Sequence, residues 1–378
     1  MTRRDRQPIT VIPGAATVPW EHLSQFFADE RAVSAETVLR LSCDWRTTDP
    51  PQIQQPATGR RVGLHMARTT TERTDALRRM DDFLGGGDLH DLVRRELRAT
   101  VEVVRDASYS EQTGRALLAA VGELAQLAGW VTSDHGLHAA ASRYYLGGVI
   151  AAHAARDAPL AGNLLSSLAY QVANVGDPRD AVLLASTAFR GAQATATHAT
   201  RAVLLERLAW ANARLGDHQM TIRLLGEVDE VFASSTPVNE PQWLYWLNRD
   251  EIDIMAGRCL VQLRAPRRAV ELLTAALDRY DDAHAREKSL YLSWLAEAHL
   301  HDRNVEASAD VALRALRLGA SVASSQSLDR IRHLRCLLRP HRDNKTAAAF
   351  DAESSAVLRA EHGKRDTPPP APVGCGCR

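Results

Sequence analysis

Polar side chains interrupt three otherwise apolar stretches of the sequence, and their amide, hydroxyl and guanidinium groups could bind a ligand. Each amide offers both a donor and an acceptor, so Asn and Gln can pair with an extended peptide backbone. The alternative is that these side chains face solvent or cap helices, as Asn174 beside Gly176 is expected to do. The candidate binding residues are Asn163, Ser167 and Gln171 in the first stretch, Arg207 and Asn212 in the second, and Asn248 and Arg249 in the third.

A second candidate site lies at the C-terminus, where Cys375 and Cys377 flank a single glycine. Two thiols at this spacing could bind one Cu(I) or Zn ion, or form a reducible disulfide. The proline-rich stretch 367–372 before them predicts a stiff extended spacer. The chain could therefore be a carrier or precursor that presents its own C-terminus for modification, and incidental cysteines at a disordered end are the other alternative.

Motifs of the common catalytic and nucleotide-binding classes are absent from the sequence. It contains no GxxxxGK[ST], GxSxG or HExxH pattern, and its 14 histidines lack the paired spacing of a metal site. Close neighbours such as His135 and His138, or His299 and His301, would bind a metal only by an accident of packing. The sequence predicts a protein that is not an enzyme and that needs no cofactor.

Composition and charge narrow the classes of partner. The 46 basic and 46 acidic residues cancel, so any DNA contact would depend on local charge or on a partner protein. The first residues are charged, Pro8 and Pro13 interrupt the next stretch, and no run of 18 apolar residues occurs. The five cysteines form no disulfide framework. We therefore expect a cytoplasmic protein without membrane contact.

The elements that would position the candidate residues are helices that come in pairs. A short polar turn followed by a small residue recurs in five copies whose last positions are 42, 40, 48 and 38 residues apart. This spacing is typical of stacked helical hairpins. The five turns are Ser133–Ala139, Val175–Ala181, Leu215–Thr221, Leu263–Ala269 and His301–Ala307.

The second pair shows why these segments are expected to be helices. Leu164, Leu168 and Val172 recur at helical spacing, Gly176 ends the first helix, and Asp177 with Pro178 begins the next. One pair cannot bury its apolar stripe alone, so neighbouring pairs must stack, with their first helices on the concave face. Packing between repeats is the predicted role of most of the large aromatic residues, which are Trp130, Tyr144, Tyr145, Trp210, Trp243, Trp246, Tyr291 and Trp294.

Changes in composition divide the chain into five regions. A short helical region is followed by a linker that is rich in proline and glutamine, a helical connector, the repeats and a flexible polar tail that ends in Cys-Gly-Cys. The predicted boundaries are 1–46, 47–69, 70–113, 114–338 and 339–378.

Five segments carry a resemblance to a known family: Leu77–Gly87, Tyr109–Arg115, Gly122–Trp130, Arg143–Tyr145 and Ala173–Ala181. Their order, over roughly residues 60–320, resembles actinobacterial transcriptional regulators with an N-terminal Cro/CI-type helix-turn-helix and a C-terminal tetratricopeptide-like domain. The resemblance implies an all-α, tetratricopeptide-like helical-hairpin solenoid with a small helical N-terminal region. It also implies a regulatory or sensory protein that binds a peptide, a small signal or a protein partner and could form a homodimer.

The N-terminal region departs from that family. Only about 45 residues precede the proline-rich linker, and the stretch 1–61 holds eight basic against seven acidic residues. Residues 1–46 are therefore expected to be the remnant of a helix-turn-helix domain. Three interpretations remain open: a truncated or mis-started regulator, a regulator that contacts DNA through a partner, and a ligand-binding protein that has lost DNA contact.

Overall fold

Paired helices dominate the computed structural model, which describes residues 20–28, 32–53, 59–82, 86–236, 240–281, 284–319 and 325–365. The candidate thiols Cys375 and Cys377 lie outside the described residues, as do the centre of the predicted linker and the stretch 1–19. The five helix pairs are α5 (Glu111–Asp134) with α6 (His138–Ala155), α7 (Ala158–Val175) with α8 (Pro178–Ala192), α9 (His198–Leu215) with α10 (His218–Ala233), α11 (Arg249–Gln262) with α12 (Pro266–Arg279), and α13 (Ala285–His301) with α14 (Val305–Gly319).

Each pair packs within itself and against its neighbours, so the prediction of an all-α, tetratricopeptide-like solenoid is confirmed. The five polar turns read from the sequence are the turns inside the five pairs. Successive first helices also contact each other, from α5 to α7, α9, α11 and α13. They therefore form one continuous inner layer.

Individual residues in the turns determine where one helix ends and the next begins. The Asp177 side chain accepts a hydrogen bond of 2.8 Å from the backbone N–H of Arg179, and Pro178 occupies the first helical position. Gly216 has φ +83°, and Arg264 and Arg303 adopt the same left-handed conformation at φ +57° and +63° in two other turns. A left-handed residue at this point lets the backbone satisfy the last carbonyl groups of the first helix.

Small residues let helices approach closely in the core. A side chain at Gly129 would collide with the ring of Tyr145, and one at Gly148 would collide with Leu164. Helix α5 has the length and apolar composition of a membrane span, but 67% of that stretch is buried inside the protein. It is the first helix of the first pair and is surrounded by α3, α4, α6 and α7.

The N-terminal helices share the core of the repeats. Helix α1 (Trp20–Ala28) packs on α4 (Gly86–Arg105) and α6, and α2 (Ala35–Thr47) packs on α6 and α8. The ring of Phe27 lies against Gly147, and that of Trp45 lies against Gly191. The remnant predicted for residues 1–46 thus contributes, in its described part, to the same hydrophobic core as the solenoid.

Helix α3 (Leu64–Asp81) begins inside the stretch predicted to be a linker, six residues before the predicted connector. Just before it, the short strand β1 (Arg60–Arg61) pairs in parallel with β2 (Ala107–Ser108), which follows α4. This pairing fixes the start of α3 beside the end of α4. Helix α3 then lies along α5, the first helix of the first pair.

The C-terminal region corrects one prediction. The stretch from 339 was expected to be flexible, yet α16 (Lys345–Arg365) packs on α14 and on α15 (Ser325–Leu338). Ala347, Phe350 and Ser354 are buried in one stripe, and Asp351 forms ion pairs with Arg335 at 2.7 Å and Arg342 at 2.9 Å. The stripe is made largely of small residues, which hides its helical period in the sequence.

Candidate ligand-binding site

The inner layer of the solenoid encloses a cavity of about 430 Å³. The first helices of all five pairs contribute to its wall, together with residues from the end of α3, from the stretch 243–248, from the segment that joins α12 to α13 and from the start of α15. Among the described lining residues, the second helices supply only Arg279, at the end of α12. The volume lies in the range of pockets that hold small organic ligands.

The wall of the cavity is rich in aromatic rings. Trp130 and Tyr170 are stacked with their ring centres 6.2 Å apart. Several aromatic residues predicted to pack between repeats belong to or pack against the core and also line the cavity, namely Trp130, Trp243, Trp246 and Tyr291. Tyr145 and Trp210, in contrast, are fully buried in the core, as packing between repeats requires.

Helix α7 presents three cavity residues on one face. Asn163, Ser167 and Tyr170 follow each other at spacings of four and three, which places them on one side of the helix. The Ser167 hydroxyl donates to the Asn163 carbonyl oxygen at 2.9 Å and accepts from the Gln126 amide at 3.5 Å. The Asn163 side chain has no hydrogen bond to any described residue, so its amide is available to a ligand.

Arg207 of α9 faces the cavity from beside this helix. The carbon of its guanidinium group lies 4.2 Å from the centre of the Tyr170 ring, as in a cation–π contact. Arg207 is only 8% exposed, and within the described chain its guanidinium forms no hydrogen bond and no ion pair with another side chain. A buried cation is therefore held against an aromatic ring with its donors unused.

The structure brings four of the seven predicted binding residues to the cavity: Asn163, Ser167, Arg207 and Asn248. Asn248 is there as the N-cap of α11, because its side-chain oxygen accepts from the Glu251 backbone N–H at 3.0 Å. Ligand binding by these four residues stays a prediction.

The other three predicted residues are occupied elsewhere. The Gln171 amide donates to the His138 carbonyl oxygen at 3.0 Å and to the Ser142 hydroxyl at 2.9 Å. The Asn212 amide donates to the Leu208 carbonyl oxygen of its own helix at 2.8 Å. Arg249 pairs with Asp229 at 2.8 Å and with Asp253. None of the three lines the cavity.

One part of the cavity wall is not predicted by the sequence analysis. Arg78, Asp81 and Asp82, at the C-terminal end of α3, close the cavity, and we call these three residues the roof. Asp82 accepts a hydrogen bond of 2.7 Å from the Tyr245 hydroxyl, and Asp81 pairs with Arg286 at 3.1 Å. The roof thus joins α3 to the segment before the fourth pair and to the first helix of the fifth pair.

Arg286 is the centre of a buried group of charges. Besides Asp81, its guanidinium lies 2.8 Å from Glu287 and 3.9 Å from Asp134. Burial alone would lower the pKa of Arg286, but the three carboxylates outweigh burial and raise it. Burial likewise raises the pKa of Glu287 against the opposing effect of Arg286.

Two tyrosines hold another cavity carboxyl. Glu251 accepts from the Tyr280 hydroxyl at 2.7 Å and from the Tyr291 hydroxyl at 2.8 Å. Burial raises the pKa of Glu251, and the two hydrogen bonds oppose that shift. Both oxygens of this carboxyl group are therefore already used by the protein.

Beneath the aromatic wall lies a buried arginine that fixes it in place. Arg258 donates to the Tyr170 hydroxyl at 2.7 Å, and its guanidinium carbon lies 4.8 Å from the Trp210 ring centre and 5.2 Å from that of Trp294. On Trp294 also lies Arg330, whose guanidinium carbon is 3.6 Å from the ring centre. These contacts hold Tyr170 as a rigid platform for Arg207.

Glu123 of α5 makes the region under the roof sensitive to pH. Burial raises the pKa of its carboxyl to about 7, although nearby Arg78 acts to lower it. Because this folded-state pKa exceeds the ordinary value, the associated stability is complete below about pH 4.5 and is lost as the pH rises through 7. Between pH 5 and pH 8, this titration should lower the free energy of unfolding of the wild-type chain by about 2 to 3 kcal/mol. Glu123→Gln should abolish that decrease.

Urea unfolding across that pH range measures this effect. Glu111→Gln on the same helix is the matched control, because the Arg115 hydrogen bond lowers the pKa of the exposed Glu111. The stability that ionised Glu111 contributes is lost only as the pH falls. Glu111→Gln should therefore leave the dependence of the unfolding free energy on pH unchanged between pH 5 and pH 8. Equal slopes for wild type and Glu123→Gln would show that Glu123 does not titrate in this range.

Comparisons with known proteins give only distant structural similarities. No family model and no curated protein matches the chain. Among solved structures, a double mutant described as MamA RS-1 ArsTM is 16% identical, with a TM-score of 0.35 and coverage of 53% of this chain and 97% of that one. MamA from residue 41 to its end, from Desulfovibrio magneticus RS-1, is 18% identical, with a TM-score of 0.34 and coverage of 53% and 96%.

Proposed function

We propose that the protein is a sensor that binds a small signal or a short peptide inside the cavity. The observation that supports this most strongly is the cavity itself, which the first helices of all five pairs enclose together with the roof. Its wall combines several aromatic rings with a few polar groups, a composition typical of sites for organic ligands. No catalytic constellation is needed for this role.

The roof supplies a route from the ligand to the rest of the chain. Tyr245 and Arg286 contact the roof from one side, and α3 continues from it along α5. A ligand that favours one arrangement of these contacts over another would shift the position of α3 relative to the repeats. Such a shift is the output that we propose for the sensor.

The role in gene regulation is a further part of this proposal and is supported only by the family resemblance. DNA contact, directly or through a partner, and a homodimer stay predictions. The carrier alternative rests on Cys375 and Cys377, which lie outside the described residues, and it stays a prediction too. The cavity and its wall favour the sensor.

A cavity-filling variant tests the proposal. Ser167→Phe places a ring in the cavity, whereas Ser234→Phe places the same ring at the exposed end of α10. The probes are naphthalene-1-acetate and its uncharged amide, naphthalene-1-acetamide, titrated by calorimetry. We expect at least one probe to bind wild type and Ser234→Phe with one-to-one stoichiometry and Ser167→Phe at least about tenfold more weakly.

Circular dichroism of both variants verifies that they are folded. Binding of neither probe to the wild-type chain would contradict the proposed site. So would binding to folded Ser167→Phe with the wild-type affinity.

A further inference from the structure

We propose that the ligand of this cavity carries a carboxylate that pairs with Arg207, joined to an apolar, aromatic-compatible body. The inference rests on the proposed function and names the chemical class of its ligand. It follows from the difference between Arg207 and the other arginines of the wall.

Every other arginine that lines the cavity has a partner within the protein. Arg78 pairs with Asp75 at 2.8 Å, Arg258 donates to the Tyr170 hydroxyl, and Arg286 pairs with Asp81. Arg279 pairs with Asp250. In the described part of the chain, Arg207 has the Tyr170 ring below it and no acceptor for its N–H groups. Among the described arginines of the wall, Arg207 is thus the one whose guanidinium has no hydrogen-bond acceptor.

Burial makes this arrangement costly without a ligand. A charged group removed from water loses solvation that only an opposite charge or hydrogen bonds can replace. The neighbouring Glu206 does not supply that charge, because it forms no ion pair and both of its carboxyl oxygens lack a hydrogen-bond partner among the described residues. Burial raises the pKa of Glu206 well above its ordinary value, against the opposing effect of Arg207, and so favours the neutral form of this group.

The geometry around Arg207 suits a planar anion. The Tyr170 ring lies against the guanidinium of Arg207, and a guanidinium edge binds a carboxylate through two parallel hydrogen bonds. Asn163 lies on the same face of α7 as Tyr170, also only 8% exposed, and its side-chain amide could donate to the same group. The ligand body would then lie among Trp130, Trp243 and Trp246.

Four acidic residues of the described wall have partners within the protein. Asp81 and Glu287 are held by Arg286, and Asp250 is held by Arg279. Both oxygens of Glu251 accept hydrogen bonds from tyrosines, and burial favours its neutral form by raising its pKa. An entering carboxylate therefore meets Arg207 as a buried cation that has no hydrogen-bond acceptor of its own among the described residues.

Calorimetry with the two naphthalene probes tests this inference, because they differ chiefly in the charge of one group. We expect the wild-type chain to bind the acetate at least about tenfold more tightly than the acetamide. Arg207→Gln should weaken acetate binding about 10- to 100-fold and leave acetamide binding nearly unchanged, so that the preference disappears. Arg279→Gln is the matched control, since it removes a cavity arginine that already has a partner, and it should keep the preference.

Arg207→Lys gives a second measurement if Arg207→Gln unfolds. It keeps the positive charge but lacks the planar fork, so we expect it to retain only part of the preference. Equal affinity of wild type for both probes, or an undiminished preference in Arg207→Gln, would overturn the carboxylate inference and leave the cavity as a binding site. Binding of neither probe would overturn both proposals.

Discussion

Replacing Arg286 with leucine should lower the free energy of unfolding by about 3 to 5 kcal/mol. The side chain of Arg286 is 11% exposed, and those of Asp81 and Asp134 are 6% and 8% exposed. The substitution takes away the cation that these buried carboxylates share, which costs far more than the loss of a surface ion pair. The variant should also release the roof, because the Asp81 contact joins α3 to α13.

The matched control for this variant is Arg279→Leu. Arg279 also lines the cavity and also pairs with an aspartate, but its side chain is 52% exposed. We expect it to cost at most about 1 kcal/mol, as exposed ion pairs do. Urea unfolding at neutral pH measures both variants, and hydrogen exchange reports whether the end of α3 loses protection. Equal costs for the two variants would show that the charges around Arg286 do not hold the roof.

Replacing Trp210 with alanine should be the other large effect, about 3 to 5 kcal/mol. Trp210 is 1% exposed, and its ring centre lies 5.5 Å from that of Trp294 and 6.4 Å from that of Tyr170. The substitution removes this ring from the core and takes one aromatic face from the buried guanidinium of Arg258. Tyr170, which Arg258 holds, should then lose its fixed position under Arg207.

Trp246→Ala is the comparison for Trp210→Ala. Trp246 is only partly buried and lines the cavity, so its removal creates less new empty space in the core. Urea unfolding should therefore show a clearly smaller loss for Trp246→Ala. If Trp210→Ala costs no more than Trp246→Ala, the stack of rings around Arg258 does not support the structure as described.

The repeat architecture could be predicted because its signals are local. The turn at Asp177–Pro178 contains its own N-cap and helix-starting proline, and the apolar stripe of α7 repeats within a few residues. The turns at Arg264 and Arg303 lack one of these local signals, a glycine. The two arginines take the left-handed position that glycine favours in other turns, so these turns were recognised by spacing and not by a glycine.

Helical phase explains which candidate residues reach the cavity. Arg207 and Asn212 are both candidates on α9, but five positions correspond to about 140° of rotation around a helix. Asn212 therefore points away from the cavity and bonds to its own helix. Asn163 and Ser167, four positions apart on α7, differ by only about 40° and share the cavity face.

The roof could not be predicted from the sequence. Asp82 and Tyr245 are 163 positions apart, and Asp81 and Arg286 are 205 positions apart. No local pattern records such contacts, because they depend on how the whole solenoid curves. The lack of a hydrogen-bond acceptor for Arg207 among the described residues could not be identified either, since it is known only once every neighbour has been placed.

A crystal structure of the full chain with bound naphthalene-1-acetate tests the central claim most directly. We expect one probe molecule inside the cavity, with its carboxylate within hydrogen-bond distance of the Arg207 guanidinium and its rings among Trp130, Trp243 and Trp246. A probe bound on the outer surface, with the cavity empty and Arg207 unchanged, would contradict it.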